Sequence, residues 1–253
     1  MTTAALHKGR QGGSRQTAAH PDTPTLLNGD HLSVPEFERR YEAAPDGARA
    51  ELIEGIVIMS PPISSDHAEA HGLLVEALRH YARATRGVVL GVNASVRLDG
   101  RNEYQPDILL RIGNGAKAGT RIDAKGLLEG RPELVVEIAL SSQAYDLHEK
   151  KAVYQRNQIP EYLVWQVKGQ RLDWFILVNG EYKLLEAPTE GLSRSRIFPG
   201  LWLDLRALAT GDDKKVFRAL EKGLKSAEHK SFARKLKFSA ADPPTAMKPA
   251  ASP

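Results

Sequence analysis

The chain has 253 residues, 42% hydrophobic and 26% charged, with no cysteine and a net charge of +4. This is globular composition, long enough for one substantial core with tails. The lack of cysteine excludes disulfides, cysteine-ligated zinc, iron–sulfur clusters and a cysteine nucleophile, and suits a reducing, cytoplasmic setting. The basicity sits at the ends: residues 210–253 carry +5 and 1–30 carry +1, which leaves −2 on 31–209. No apolar run approaches the roughly 18 residues of a membrane-crossing helix.

Residues 1–30 are rich in Thr, Ala, Gly and Ser, with neither apolar periodicity nor the apolar core of a secretion signal, and read as a disordered leader. A helix begins near Leu32, with Ser33 as N-cap, Pro35 in the first turn and Glu36 at the capping-box position. In Ala50-Glu-Leu-Ile-Glu-Gly-Ile-Val-Ile-Met-Ser60, two apolar runs flank Glu54-Gly55, the signature of a tight hairpin. Pro61-Pro62 stop the second strand, and Ser64 or Ser65 caps a long helix whose apolar residues Leu73, Leu74, Ala77, Leu78 and Tyr81 share one face. Val88–Leu98 reads as one strand and Tyr104–Ile112 as another.

Residues 113–130 read as a Gly-, Lys- and Ala-rich connection with a short helical piece near Asp123–Leu128. Leu134–Leu140 is a continuous apolar strand broken only by Glu137, and a helix follows through Gln158. Strands are expected at Glu161–Val167, Leu172–Val178 and, after an Asn179-Gly180 turn, Tyr182–Leu185. Phe198–Leu205 is extended. Residues 210–238 form a basic helical extension with Val216, Phe217, Leu220 and Leu224 on one face, and 239–253 a disordered Pro/Ala-rich tail. The order of elements gives an α/β (α+β) sandwich with a mixed central sheet flanked by helices.

Chemistry concentrates between Tyr104 and Tyr154. Asp107 stands just before an apolar strand and Glu137 in the middle of another, where an acid without a cation or hydrogen bonds is costly. If those strands are neighbours, both carboxylates project from one sheet end and suit a hard cation such as Mg2+ or Mn2+. Lys150, on the next helix, can reach the same point; the competing reading pairs it with Asp146 one turn away. Lys151 points elsewhere and is the weaker lysine. His67 and His71 have metal-ligand spacing but no third partner, and read as capping or surface histidines. Tyr154 and Tyr162 read as packing residues with a polar tip, and Ser141-Ser142 as helix caps.

Pro106-Asp107, Glu137 within Pro132-Glu-Leu-Val-Val-Glu-Ile, Asp146-x-x-x-Lys150-x-x-x-Tyr154 and Ile159-Pro-Glu-Tyr162 together resemble the bacterial Uma-type restriction endonuclease family, part of the PD-(D/E)XK nuclease superfamily. Glu51-Leu-Ile-Glu54-Gly55, Met59-Ser-Pro-Pro62, His67 and Phe198-Pro-Gly-Leu-Trp-Leu-Asp204 extend the resemblance over about Leu32 to Gly211. The resemblance implies a restriction-endonuclease-like core over 31–209, a Mg2+- or Mn2+-dependent endonuclease acting on DNA, and a site of Asp107, Glu137, Lys150 and a first-motif acid. Asp107 and Glu137 would be the metal ligands. Glu51 and Glu54 compete for the first-motif role, with Glu51 favoured. The usual superfamily lysine, two residues after the second acid, is replaced by Ala139, and in the family it has moved to the following helix, where Lys150 stands. A catalytically inactive nuclease-fold module that binds nucleic acid or protein is the alternative, and a phosphodiesterase for another phosphorylated substrate uses the same chemistry. A homodimer would suit double-strand cleavage.

Overall fold

The computed structural model describes residues 23–113, 118–140, 145–185 and 192–239. Helix α1 (Val34–Glu42) leads into the hairpin β1 (Ala50–Ile53) and β2 (Ile56–Met59), then α2 (Ser65–Ala84). Five short strands follow: β3 (Val88–Val92), β4 (Val96–Asp99), β5 (Asn102–Tyr104), β6 (Ile108–Ile112) and β7 (Thr120–Ile122). After β8 (Leu128–Gly130) and β9 (Leu134–Ala139) come a π-helical turn (Tyr145–Lys150) and α3 (Lys151–Arg156). The chain continues through β10 (Glu161–Gln166), β11 (Arg171–Val178), β12 (Glu181–Leu184), β13 (Leu192–Arg194) and β14 (Trp202–Asp204) to the helices α4 (Leu205–Thr210), α5 (Asp213–Leu224) and α6 (Ala227–Ser239). The last two helices replace the single segment expected after residue 210. No described helix is long and apolar enough to cross a membrane.

The central sheet is mixed, six-stranded and ordered β12-β11-β10-β9-β6-β3. Its heart is the parallel pair β9–β10, beside the antiparallel pair β6–β9 with Ile108 opposite Val136. Strands buried on both faces need continuous apolar sequence, and β9 supplies it except at Glu137. One face, through Leu134, Val136 and Ile138, packs on α2, α4, α5 and α6. The other, through Val135, Leu109 and Val164, packs on a second six-stranded sheet, β2-β1-β5-β4-β8-β7, and on α3. Glu137 shares the parity of Val135 and so points into the space between the two sheets.

Several local expectations change. Ser33 is the N-cap of α1 but makes no side-chain capping bond, and the capping box is not formed, since the Glu36 carboxylate is held by Arg39 and Arg40. Val88–Leu98 is two strands in different sheets: Asn93 adopts a left-handed φ of 49°, and the chain turns away there. Tyr104–Ile112 is likewise divided, at Gln105-Pro106-Asp107, since proline supplies no ladder donor. Around Asp123–Leu128 there is no helix; β7 and β8 form a hairpin whose turn Asp123 closes by accepting from the Lys125 and Leu127 amides. The two expected tight turns are present, with positive φ at Glu54 (53°), Gly55 (80°), Asn179 (54°) and Gly180 (83°).

Candidate active site

A cleft of about 540 Å3 opens at one end of the central sheet, and Glu51, His67, Gln105, Asp107, Glu137 and Lys150 lie in its wall. Each acid arrives from a different segment of the chain. β1 brings Glu51, whose Oε1 accepts the Gln105 backbone N–H at 2.8 Å. The link between β5 and β6 brings Asp107, and β9 brings Glu137. Asp107 and Glu137 come together because β6 and β9 are neighbours in register, so the Asp107 Oδ2 accepts the Ile138 N–H at 2.8 Å. All three acids are buried.

Lys150 closes the cluster. The π-helical turn places it at the start of α3, and its Nζ lies 2.9 Å from Glu51 Oε2 and 3.2 Å from Glu137 Oε1. π-Helical turns are rare and often accompany functional sites. Four positions on, Tyr154 is on the same helical face and donates its hydroxyl to Glu137 Oε1 at 2.6 Å. Burial, reinforced by the Glu137 and Glu51 charges, pushes the Tyr154 phenol well above its ordinary range and keeps it a donor. Lys151 points away, over the Phe175 ring. Glu54 lies outside the cluster in an exposed pair with Arg156, so Glu51 is the acid of this segment that faces the cleft. The Asp146 side chain and Ser141-Ser142 lie outside the described residues.

Two residues expected to do less take part. His67, read as a capping or surface histidine, is largely buried, and its Nε2 stands 3.4 Å from Asp107 Oδ2. It is the Ser64 side chain that caps α2, accepting the His67 N–H, and this aims the His67 ring into the cleft. His71 Nε2 is 3.1 Å from the Asp107 carbonyl, which also accepts the Asn93 N–H. Tyr154, read as a packing residue, does pack against Tyr104 and Tyr162, but its hydroxyl belongs to Glu137. The signal available in sequence was Lys150-x-x-x-Tyr154: if the lysine faces the acids, the tyrosine does too. Burial alone raises the Asp107 carboxyl; the His67 ring, the Ile138 amide and Lys150 together outweigh it and hold the group below its ordinary value.

The donor set is three buried carboxylates facing one lysine. This leaves negative charge that a hard cation would offset. Among the described residues no group of three or more acids or histidines is arranged around a common metal position. Asp107 and Glu137 are the two cleft carboxylates that could serve a metal as ligands, with water and substrate oxygens completing a shell of the kind Mg2+ prefers.

Residues 34–206 match the Uma2 family model, described as "Putative restriction endonuclease". The chain belongs to the Uma2 family. A crystal structure from Anabaena variabilis, described as a "putative nuclease belonging to DUF820", shares the fold: TM-score 0.54, 16% identity, 70% of this chain and 99% of that one. No curated protein matches the chain. The Uma2 match spans the hairpin that carries Glu51, both acid-bearing strands and the Lys150–Tyr154 helix, and it stops before α5 and α6.

Proposed function

We propose that this Uma2 protein is a metal-dependent endonuclease that hydrolyses phosphodiester bonds in DNA, with Asp107, Glu137, Lys150 and Glu51 as its centre. The observation that carries the reading is the convergence of Lys150 on Glu51 and Glu137 in a buried cleft beside Asp107. Lys150 makes up for the alanine at position 139 by reaching the acids from the following helix.

Asp107 and Glu137 would hold one Mg2+ or Mn2+. When bound, the ion polarises the scissile phosphate and makes an attacking water more acidic. Glu137 is fixed for this by Tyr154 and Lys150, which both engage its Oε1. Asp107 is fixed by the Ile138 amide and His67. Glu51 anchors Lys150, whose Nζ can orient the nucleophile and counter charge developing on the phosphate oxygens. In the net reaction the water oxygen bonds to phosphorus, one P–O ester bond breaks, and the departing oxygen takes a proton.

The test is cleavage of supercoiled and linear DNA with Mg2+ or Mn2+. The wild type should cut, EDTA should abolish cutting, and Asp107→Asn should be inactive. Equal residual cleavage by wild type and variant rejects the assignment. Binding of the same DNA without metal-dependent cleavage would favour the non-catalytic module.

A further inference from the structure

Beyond the Uma2 match lie α5 and α6, and these helices are part of the core. Val216 and Leu220 of α5 and Leu236 of α6 are buried with α2 and the central sheet. His229 fastens α6 through bonds to Thr85 Oγ1 at 2.9 Å and the Leu224 carbonyl at 2.8 Å. Yet residues 213–239 contain nine Lys/Arg and three Asp/Glu, next to a body of net charge −2. A solvated helix face ordinarily mixes signs in similar numbers; here cations outnumber acids three to one.

The cations are in rows. Lys214, Arg218 and Lys222 recur every four residues on the side of α5 opposite Val216 and Leu220, and all three are exposed. Lys230 and Arg234 repeat the spacing on α6, also exposed. Among the described residues none of these five is in an ion pair; Asp212 is paired with Lys215, and Glu221 with Lys225 and His80. Like charges four apart on a helix repel, and a row of anions relieves that. Each four-residue step rises about 6 Å, close to the axial rise of two nucleotides on one strand.

We propose that the exposed faces of α5 and α6 form a phosphate-binding surface for duplex DNA, separate from the cleft and independent of metal. The helix α2 connects the two places: His67 near its start is in the cleft, and His80 near its end bonds Glu221 of α5. Thirteen helical residues span about 20 Å, so the surface engages a duplex several base pairs from the bond being cut. This deepens the nuclease reading by giving it a second, sequence-independent grip on the substrate.

The experiment is equilibrium binding of a fluorescent 30-base-pair duplex to the full chain in EDTA, over a range of salt. Wild type is compared with Lys214→Gln/Arg218→Gln/Lys222→Gln and with Lys230→Gln/Arg234→Gln, each checked by circular dichroism and melting. The slope of log K against log salt should shrink by roughly 0.9 for each phosphate no longer neutralised, or about 2 to 3 for the triple variant, with affinity down tenfold or more at low salt. An unchanged slope and affinity in folded variants overturns the proposal. So does wild-type binding to phosphatidylserine vesicles with none to duplex, which would assign the surface to anionic lipid. Cleavage is scored separately. Metal-dependent cutting with an unchanged salt slope sinks this surface and leaves the nuclease reading standing; a stripe-dependent slope without cutting does the reverse.

Discussion

Lys150 Nζ lies 2.9 Å from Glu51 Oε2, although ninety-nine positions separate the two residues. Both side chains are buried, so Glu51 depends on Lys150 for charge balance, and Lys150 on Glu51 and Glu137. Replacing Lys150 with methionine keeps the volume but leaves two buried carboxylates facing each other. Without metal, stability should fall by about 3 kcal/mol, read from denaturant melts. Cleavage should fall by about a hundredfold or more. Added Mg2+ should recover more stability in the variant than in the wild type, since the ion then supplies the missing positive charge.

Tyr154 should matter through Glu137. Tyr154→Phe removes the 2.6 Å bond to Glu137 Oε1 and leaves the ring packing with Tyr104 and Tyr162 in place. The expected stability cost is about 1 kcal/mol. The telling measurement is kinetic: the Mg2+ concentration for half-maximal cleavage should rise several-fold, with little change in the KM for DNA. A melt shifted by the same amount with no change in the metal response would reduce Tyr154 to packing.

Glu161 is a buried acid of a different kind. It is fully buried, and it accepts from Ser195 Oγ at 2.8 Å and from the Arg196 and Ile197 amides at 2.6 and 3.1 Å. It pins the segment before β14 to the central sheet, away from the cleft. Glu161→Ala strands three donors and should cost about 3 kcal/mol in a thermal or denaturant melt. Metal affinity, measured below the melting range, should be unchanged.

Glu103 gives a pH dependence that is independent of the cleft. Burial, with the nearby Glu38 charge, pushes its carboxyl up to about 7, against the partial opposition of Arg97. The folded chain therefore holds this proton more tightly than the unfolded chain does. The resulting stabilisation is complete below the ordinary glutamate value and is lost as pH rises through about 7. Glu103→Gln should raise the melting temperature by a few degrees at pH 8, corresponding to about 1 kcal/mol, and give no gain at pH 4. Equal shifts at both pH values would contradict the assignment.

The sequence was most readable where one physical rule dominates. The unbroken apolar run around Glu137 requires a strand buried on both faces, and that strand lies at the middle of the sheet. Glu54-Gly55 and Asn179-Gly180 require left-handed turns and adopt them. Legibility failed where long-range contacts decide. Nothing local shows that Asn93 divides β3 from β4, because the division serves to send the two strands to different sheets. The β7–β8 hairpin is held by Asp123 side-chain bonds in a stretch whose composition reads as loop. In the cleft Asp107 and Glu137 stood out by residue type and position and Lys150 by its place on the next helix, whereas Glu51 and Glu54 competed for the remaining acid position. His67 was not, because its role depends on α2 starting at the sheet end where Asp107 emerges.

In the proposed centre Asp107 and Glu137 together hold one divalent ion. The direct measurement is Mn2+ binding followed by electron paramagnetic resonance, on the full chain and without DNA. One ion should bind to the wild type and to Glu54→Gln, whose side chain lies outside the cluster. Both Asp107→Asn and Glu137→Gln should weaken that binding by tenfold or more while remaining folded by circular dichroism. Wild-type affinity in either folded variant would contradict the shared site.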